Sequence, residues 1–490
     1  MANLPQLRDY QHTAIAEVRA ALAQPERSVV LVLPTGAGKT TVAAELARRM
    51  VERGKRVWFC AHLFELVSQA RARMELFGLT VGCIAAGWDY HPGRPVQCCM
   101  VQTLARRIAT LPAHQLPDFI FFDEGHHTAA GTYQKVIEAC PNAYRIGLTA
   151  TPFRLDGKGL RDYYAHLVAP ITAAELVARG YLVPARYYAT EADLDGISNR
   201  GGDYATDELF KRFNKRALYR GVVINYRNFA EGRKAIVFCV NVEHSLQTCQ
   251  AFNEQGIACA HLDGSTPAAQ RAKVLAEFAA GQWQVLCNVA LFTEGFDLPD
   301  LGAVILNRAT QSKSLYLQMV GRGLRPSAGK ANCVVIDHGE NVKTHGFFDD
   351  EIEHSLDAPA KKKKKAGAAL DVSPIKFCPA CTLIARAQAR VCEECGYTWP
   401  ESFEKAKEAD FVEITRTTAV IGGLTVSTVR GTKFKALPPH LEGVSEYDWT
   451  EADWVQVGKL SGYKPGWQKH RGAWVRNFGQ PQKVEGSVAA

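Results

Sequence analysis

The 490-residue sequence lacks any apolar run as long as the roughly 18 residues that a membrane-spanning helix needs. Its first residues, MANLPQLRDYQHTA, lack the apolar core of a secretion signal. It also has no internal repeat of the length that is typical of solenoids. These absences argue against a membrane protein, a secreted protein and a repeat array, and we expect a soluble cytoplasmic protein with no membrane partner.

A disulfide framework is also not indicated, although the chain has 14 cysteines. Most of them lie in apolar segments such as AIVFCV, where cysteine behaves as a small buried hydrophobic residue. The remaining four, Cys378, Cys381, Cys392 and Cys395, follow the pattern C-x₂-C-x₁₀-C-x₂-C. Two such turns offer four thiolates to one ion, which is the arrangement of a zinc ribbon. We therefore predict a structural Zn²⁺ site, because four thiolates leave no open position for catalysis.

The net charge of +8 gives little evidence for a polyanionic partner by itself, because five lysines form the single run 361–365. The surrounding residues are rich in alanine, proline and glycine, without a strong apolar period. We interpret 351–375 as a flexible linker.

Short apolar runs alternate with helical patterns in two series. The first series lies at 28–33, 55–61, 96–102, 118–124 and 144–150, and the second at 234–240, 256–263, 284–290, 302–308 and 332–338. Continuous apolar strands separated by helices indicate parallel sheets that are covered on both faces. The pattern predicts an α/β protein with two tandem parallel-sheet domains, a C-terminal zinc ribbon and a small tail domain. The predicted boundaries are 1–170, a connector at 171–220, 221–350, the linker, the ribbon at 376–400 and the tail at 401–490.

The stretch LVLPTGAGKT at 31–40 resembles a phosphate-binding loop that opens a helix. Gly36 and Gly38 would let phosphate approach the backbone, Lys39 would reach the outer phosphates, and the Thr40 hydroxyl would bind Mg²⁺. The usual first glycine of this pattern is replaced by Leu33.

A nucleotide-hydrolysing site also needs acidic residues at the end of a neighbouring strand. FIFFDEGHH supplies Asp123 to orient Mg²⁺ and Glu124 to polarise the attacking water. The following His126 and His127 are either coupling residues or plain surface histidines. Arg322 and Arg325 are three residues apart, so on one helix they would share a face and point together into a cleft.

These motifs and several others occur in a fixed order. They are LRDYQ (7–11), LPTGAGKT (33–40), AHLFELVSQA (61–70), VQTLAR (101–106), DEGHH (123–127), LTATPFR (148–154), IVFCVNVEHS (236–245), HLDGST (261–266), ALFTEGFDLPDL (290–301) and QMVGRGLRP (318–326). In this order the chain resembles the superfamily two helicases of the DEAD/DEAH type, in the branch of XPB-type helicases and the motor subunits of type III restriction enzymes. The resemblance implies two RecA-like domains of the P-loop NTPase class, with Leu33 as a familiar variant in that branch.

The resemblance also implies a role for each matching residue. ATP would be bound by Arg8, Gln11, Pro34, Thr35, Gly36, Ala37, Gly38, Lys39, Thr40, Thr41, Gly295 and Asp297. Catalysis would be carried by Lys39, Asp123, Glu124, Gln318, Arg322 and Arg325, with Mg²⁺ at Thr40 and Asp123. Thr149 and Thr151 would couple hydrolysis to domain motion, and His62, Thr103, Asp263, Gly264 and Thr293 would contact the nucleic-acid backbone.

In the tail, aromatic and basic residues alternate, and no acidic residue falls between Asp453 and Glu485. Lys464 and Trp467 could belong to a strand-binding surface, or the aromatics could form the core of a small domain. The stretch YKPGW resembles the C-termini of helicases from phages and bacterial prophages, which implies action in a bacterial cell or a phage-infected host.

We expect an ATP-dependent helicase that acts on nucleic acid, with DNA favoured over RNA and with replication, recombination or repair proteins as partners of the ribbon or tail. Three alternatives stay open. One is a double-strand DNA translocase that does not separate strands, and another is an RNA helicase. The third is a nucleic-acid-binding adaptor whose motor no longer hydrolyses ATP.

Overall fold

The computed structural model describes residues 4–152, 158–190, 192, 194–214, 216–292, 298–358, 375–399, 418–421 and 424–427. The chain divides into a compact unit, Met1–Glu401, and a second unit, Ser402–Ala490. Within the described residues, no helix is both long enough and apolar enough to cross a membrane.

The first domain is built on a parallel sheet in the order β3-β4-β2-β5-β6-β1-β7. Its strands are β1 (Ser28–Val32), β2 (Val57–Ala61), β3 (Val81–Ile84), β4 (Val96–Met100), β5 (Phe119–Asp123), β6 (Tyr144–Thr149) and β7 (His166–Val168). Its helices are α1 (Asp9–Leu22), α2 (Lys39–Val51), α3 (Phe64–Leu76), α4 (Val101–Arg107), α5 (Gly131–Ala139) and α6 (Ala173–Ala178). Short 3-10 turns lie at Ile108–Thr110, Ala113–Gln115 and Gly125–Ala129. Every residue of β1 and β2 is buried, as expected for strands covered by helices on both faces.

The second domain has a larger sheet in the order β12-β13-β11-β14-β15-β8-β17-β16. Its strands before the cysteine-rich segment are β8 (Ala185–Ala189), β11 (Ala235–Cys239), β12 (Cys259–Leu262), β13 (Val285–Asn288), β14 (Ala303–Asn307) and β15 (Cys333–Asp337). The short strands β9 (Asn199–Arg200) and β10 (Asp203–Tyr204) form a separate pair. The helices are α7 (Thr206–Phe213), α8 (Arg216–Ala230), α9 (Val242–Glu254), α10 (Ala268–Ala279), α11 (Lys313–Gly321) and α12 (Asn341–His345). All ten strands predicted from the apolar runs are present, and the prediction of two parallel-sheet domains is confirmed.

The structure differs from the prediction in the segments between these domains. β8 lies inside the predicted connector, yet it pairs in parallel with β15 along its whole length and so belongs to the second sheet. The start of the predicted linker, residues 351–358, packs on the first domain, where Leu356 is buried. The lysine run at 361–365 lies outside the described residues.

The cysteine-rich segment adds β16 (Ile375–Phe377) and β17 (Leu383–Arg386) to the second sheet. β17 runs antiparallel to β8, with Leu383 opposite Tyr188 and Ile384 opposite Tyr187. We call residues 375–399 the cysteine module. It extends the sheet of the second domain at the edge formed by β8, and the sequence did not predict this pairing.

In the second unit, the structure describes the backbone of an antiparallel pair, β18 (Thr418–Ile421) and β19 (Leu424–Ser427). The predicted tail residues Lys464 and Trp467 lie outside the described part of the chain.

Candidate active site

The phosphate-binding loop connects the end of β1 to the start of α2. Leu33 continues the strand by donating its backbone N–H to the carbonyl oxygen of Thr149 at 3.0 Å. Gly36 and Gly38 have φ angles of 88° and 83°, a region that side-chain-bearing residues avoid. A Cβ at Gly36 would lie 2.9 Å from Leu182 Cδ2, and one at Gly38 would lie 2.7 Å from Gln11 Nε2. The backbone conformation therefore favours glycine at both positions, and a side chain would also displace Leu182 or Gln11, whereas Leu33 directly follows β1.

Two side chains of α1 hold this loop from one side. The Tyr10 hydroxyl donates to the carbonyl oxygen of Ala37 at 2.7 Å, and Gln11 Nε2 donates to the same oxygen at 3.1 Å. Gln11 Oε1 accepts the backbone N–H of Arg8 at 3.0 Å, which fixes the side chain at the helix start. The role of Tyr10 was not predicted, because an aromatic residue beside Gln11 carries no signal of its own in the sequence.

The acidic pair lies opposite the loop, where β5 ends. Asp123 and Glu124 are both buried, and Glu124 has a φ of 47° that turns the chain sharply after the strand. Burial, together with the neighbouring Glu124 carboxylate, raises the pKa of Asp123 to about 7, and the Lys39 ammonium opposes this rise. Burial lowers the pKa of Lys39, and the two carboxylates oppose that shift. A divalent cation at Asp123 would supply the positive charge that this buried acidic pair calls for.

A chain of short contacts leads from the acidic pair to the second domain. His126 Nδ1 lies 3.3 Å from Glu124 Oε2 and 3.2 Å from Thr149 Oγ1. Thr149 Oγ1 donates to the carbonyl oxygen of Thr151 at 2.6 Å, and Thr151 Oγ1 donates to Ser314 Oγ at 2.7 Å. Burial lowers the pKa of His126 to about 4, so its ring is neutral at physiological pH. These contacts place Thr149 and Thr151 at the boundary between the two domains. Ser314 is a further residue of this chain of contacts that the sequence did not predict.

Helix α11 brings the second domain to the loop. Gln318 and Arg322 are buried, and Gly321 permits the close approach, because a Cβ there would lie 2.6 Å from Thr35 Cβ. The prediction that Arg322 and Arg325 share one helix is wrong, since α11 ends at Gly321 and Arg322 is its C-terminal cap. Both arginines nevertheless line the same cleft as Lys39.

This cleft between the two domains has a volume of about 820 Å³. Its lining includes Arg8, Gln11, Thr35, Gly36, Ala37, Gly38, Lys39, Thr40, Thr41, Asp123, Glu124, Arg322 and Arg325. Within the described residues, Thr35 Oγ1 and Gln318 Nε2 are buried side-chain atoms without a hydrogen-bond partner. Backbone N–H groups at a helix start, a lysine and two arginines fit a nucleoside triphosphate, and Thr40 with Asp123 fits its Mg²⁺. Of the predicted nucleotide contacts, Gly295 and Asp297 lie outside the described residues.

The predicted nucleic-acid contacts follow the carboxyl ends of their strands. His62 follows β2, and Thr103 lies in α4 directly after β4; Gln102 Nε2 joins the two segments by donating to the His62 carbonyl oxygen at 3.2 Å. Asp263 follows β12 and accepts from Ser265 N at 2.7 Å. Hydrogen bonds with the Ser265 hydroxyl and with His261, and then this backbone bond, lower the pKa of Asp263 to about 2.

Beside Asp263, a Cβ at Gly264 would meet no atom of the described chain within 4 Å. The backbone there is open to a ligand. The remaining predicted contact, Thr293, lies outside the described residues, so the nucleic-acid set stays a prediction.

The four cysteines of the module meet at one point. Cys378 Sγ lies 3.5 Å from Cys395 Sγ, and Cys381 Sγ lies 3.6 Å from Cys392 Sγ. All four sulfur atoms are within 4.8 Å of one another. A tetrahedral ion with Zn–S bonds of about 2.3 Å would place its sulfurs about 3.8 Å apart. The donor set and its spacing therefore fit Zn²⁺.

Each half of the cysteine cluster is a tight backbone turn. Thr382 N donates to the Cys378 carbonyl oxygen at 2.9 Å, and Gly396 N donates to that of Cys392 at 2.9 Å. The matching geometry of the two turns explains how both C-x-x-C pairs present their sulfurs to one centre.

A phosphate loop, an acidic pair and arginines from a second parallel-sheet domain together define an ATP-dependent motor of the two-domain P-loop class. Comparison with known proteins agrees. Residues 4–154 match the family described as type III restriction enzyme, res subunit, and residues 215–327 match the helicase conserved C-terminal domain. The chain belongs to the superfamily two helicases.

Relatives are found in phages, yeasts and archaea. A 51.5 kDa protein of a Lactococcus phage is 32% identical over 76% of this chain and 79% of its own length. The DNA 3′-5′ translocase XPB2 of Sulfurisphaera tokodaii is 27% identical over 68% of this chain and 81% of its own length. Two yeast relatives, 27% and 26% identical, are matched over only 51% and 61% of their own lengths.

A solved structure shares the fold. The ATP-dependent type ISP restriction-modification enzyme LlaBIII, bound to DNA, superposes with a TM-score of 0.52 and 19% identity. The match covers 69% of this chain and 28% of that one.

Proposed function

We propose that this chain is an ATP-dependent helicase that translocates along DNA and separates its strands. The observation that carries the proposal is the meeting of two domains at one cleft. Lys39, Asp123 and Glu124 come from the first domain, and Arg322 and Arg325 come from the second. Hydrolysis would depend on how closely the domains approach, and that dependence is what a motor needs.

Each side chain has a step that its position supports. Glu124 would orient and polarise the attacking water, and Lys39 would bind the outer phosphates. Arg322 and Arg325 would stabilise the charge that develops on the transferred phosphoryl group. Thr40 and Asp123 would hold Mg²⁺, which supplies further neutralisation of phosphate charge when it is bound.

The contacts from Glu124 to Ser314 would transmit the state of the nucleotide to the second domain. Loss of the outer phosphate would change the charge beside Glu124 and His126. The hydrogen bonds of the Thr149 and Thr151 hydroxyls would transmit this change to the second domain. A strand bound by both domains would then be moved as they close and reopen.

DNA is favoured as the substrate because the relatives named above include a DNA translocase and a DNA-bound restriction enzyme. The name of the archaeal relative also favours a second candidate function, which is translocation along duplex DNA without strand separation. The two activities share the cleft and differ in their products.

We further propose that the cysteine module binds one structural Zn²⁺, and that this module or the tail contacts replication, recombination or repair proteins. The proposed place of action is the cytoplasm of a bacterial cell or a phage-infected host. We propose the domain boundaries predicted from the sequence with two changes. β8 is assigned to the second domain on the pairing described above, and residues 351–358 are removed from the linker because they pack on the first domain.

The test is steady-state ATPase measured in parallel with single-stranded DNA, duplex DNA, forked DNA and RNA. We expect the largest stimulation with DNA that contains single-stranded regions. Strand-displacement and triplex-displacement assays on the same preparation distinguish a helicase from a duplex translocase. Stimulation by RNA alone would contradict the DNA assignment, and a chain without any ATPase would be the adaptor instead.

A further inference from the structure

The chain leaves the second domain after α12 and returns to the first. We call residues 346–358 the strap. It begins at Gly346, whose carbonyl oxygen accepts the hydroxyl of Tyr316 in α11 at 2.9 Å. It ends at residues 356–358 on the first domain, in a cluster with Val30, Leu160 and Tyr164. The strap is thus a second link between the two domains, besides the segment that leads from α6 to β8. It is covalently continuous with the second domain and is held on the first domain by non-covalent contacts.

The docking of the strap on the first domain is specific. The carbonyl oxygen of Leu356 accepts the backbone N–H groups of Leu160 at 2.7 Å and Arg161 at 3.0 Å. The Leu356 side chain is only 3% exposed. Arg161 forms a two-point ion pair with Asp357, with N–O distances of 3.0 and 2.9 Å. A Cβ at Gly159 would lie 2.2 Å from the Leu356 carbonyl oxygen, so a side chain there is incompatible with this docking.

The first half of the strap lies beside the ATP cleft. Phe348 is buried and donates its backbone N–H to the Tyr187 hydroxyl at 3.0 Å. Its ring would lie 3.2 Å from a Cβ at Gly321, the residue at which α11 meets Thr35 of the phosphate loop. The strap therefore packs against the helix that precedes the catalytic arginines.

The cysteine module also holds the strap. Arg386 of β17 donates to Asp349 at 2.9 Å and pairs with Asp350, and its guanidinium lies 4.8 Å from the centre of the Phe347 ring. One end of the strap is thus fixed by the module and α11, and the other end is fixed by the first domain.

We propose that the strap positions the two domains for ATP hydrolysis before nucleic acid binds, with Leu356 as its anchor. This inference rests on the proposed ATPase function. A short tether between two bodies raises the effective concentration of one at the other. Docked at both ends, the strap keeps Arg322 and Arg325 near the phosphate loop, whereas an undocked strap would let the domains separate.

The sharpest variant is Gly159→Val, which blocks docking without removing any polar group. Gly93→Val is the matched control, because a Cβ at Gly93 meets open space. We expect Gly159→Val to lower kcat for ATP without nucleic acid by about tenfold, a usual size for coupling between sites. The KM for ATP should change little, since the phosphate loop and Gln11 are untouched. Saturating DNA should restore most of the rate, because a strand bound to both domains replaces the strap.

Docking itself is measured by hydrogen–deuterium exchange of the full chain. The amides of Leu160 and Arg161 should exchange faster in Gly159→Val and at the normal rate in Gly93→Val. The charge reversals Arg161→Asp and Asp357→Arg give a second test on exposed side chains that should not prevent folding. Each should lower the basal rate, and the double variant should restore it.

The outcomes are separable. Faster exchange at residues 160 and 161 with an unchanged basal rate would overturn the positioning role and leave the ATPase function standing. Unchanged exchange in Gly159→Val would overturn the docking. A wild-type chain without ATPase would overturn the proposed function, and the positioning role with it.

Discussion

The ATP cleft and the cysteine module are assembled in opposite ways. The cleft joins Gln11, Lys39, Asp123 and Arg325, which are far apart in the sequence and belong to two domains. The module joins four cysteines within residues 378–395. A site built across two domains exists only when the domains meet, so its substitutions should act on turnover. Substitutions in a site built from one short segment should change metal content and stability instead.

The largest effect is expected at the arginines from the second domain. Arg322→Ala or Arg325→Ala should lower kcat by about 1,000-fold, because charge developing on the transferred phosphoryl group loses its partner. Nucleotide binding should persist, since the first domain keeps its loop. The measurement is ATPase beside binding of a fluorescent nucleotide. Arg220→Ala, at an exposed position of α8, is the control and should behave like the wild type. Full activity in both cleft variants would show that the second domain does not contribute to catalysis.

A somewhat smaller loss is expected at the phosphate loop. Lys39→Ala should lower ATPase by about 100- to 1,000-fold and weaken nucleotide binding as well, because a buried charge-assisted contact is lost. Lys55→Ala is the matched control, since that lysine is half exposed and precedes the amino end of β2, whereas the phosphate loop follows the carboxyl end of β1. If Lys39→Ala bound and hydrolysed ATP normally, the cleft would have been assigned incorrectly.

The cysteine module should respond differently. In the double variant Cys378→Ser and Cys392→Ser, we expect zinc to fall from one ion per chain to none and the Tm to drop by about 5 °C. ATPase should fall less than tenfold, because no cysteine of the module lines the cleft. Elemental analysis and thermal unfolding check this, with Cys140→Ser, a buried cysteine of the first domain, as the control. Full zinc content in the double variant would contradict the site.

The smallest effect tests the support of the loop. Tyr10→Phe removes the hydrogen bond to the Ala37 carbonyl oxygen, worth about 1 kcal/mol, together with the one that the hydroxyl accepts from Arg8 at 3.2 Å. It should raise the KM for ATP about fivefold. Tyr90→Phe removes a comparable hydroxyl bond, to Gln115, away from the cleft and should leave KM unchanged. Equal behaviour of the two variants would show that the contact between α1 and the loop has no part in binding.

The sequence predicted the strands that carry the cleft because apolar residues dominate the runs 28–33, 118–124 and 144–150. It missed β3 and β7, which are four and three residues long. It also missed β8, whose polar Arg186 and tyrosines interrupt the apolar pattern. The partner of β17 could not be predicted either, because pairing with β8 is decided by the tertiary fold and not by the cysteine spacing.

The candidate active site likewise has features that the sequence predicted and features that it did not. The order of the motifs predicted residues that line the cleft, among them Lys39, Asp123 and Arg322. Contacts that cross between domains left no local signal, as with Ser314 at Thr151 and Leu356 at Leu160. The end of α11 at Gly321 was also not foreseen, although Gly323 directly after the cap and Pro326 shortly beyond it are helix-ending residues.

The most direct test of the two-domain motor is ATP hydrolysis by the purified full chain with and without DNA, beside the variant Glu124→Gln. Glu124→Gln keeps the shape of the side chain and removes the charge that polarises water. We predict hydrolysis that DNA stimulates in the wild type, and nucleotide binding without turnover in the variant. Undiminished turnover in Glu124→Gln, or a wild-type rate that no nucleic acid changes, would contradict the proposed motor.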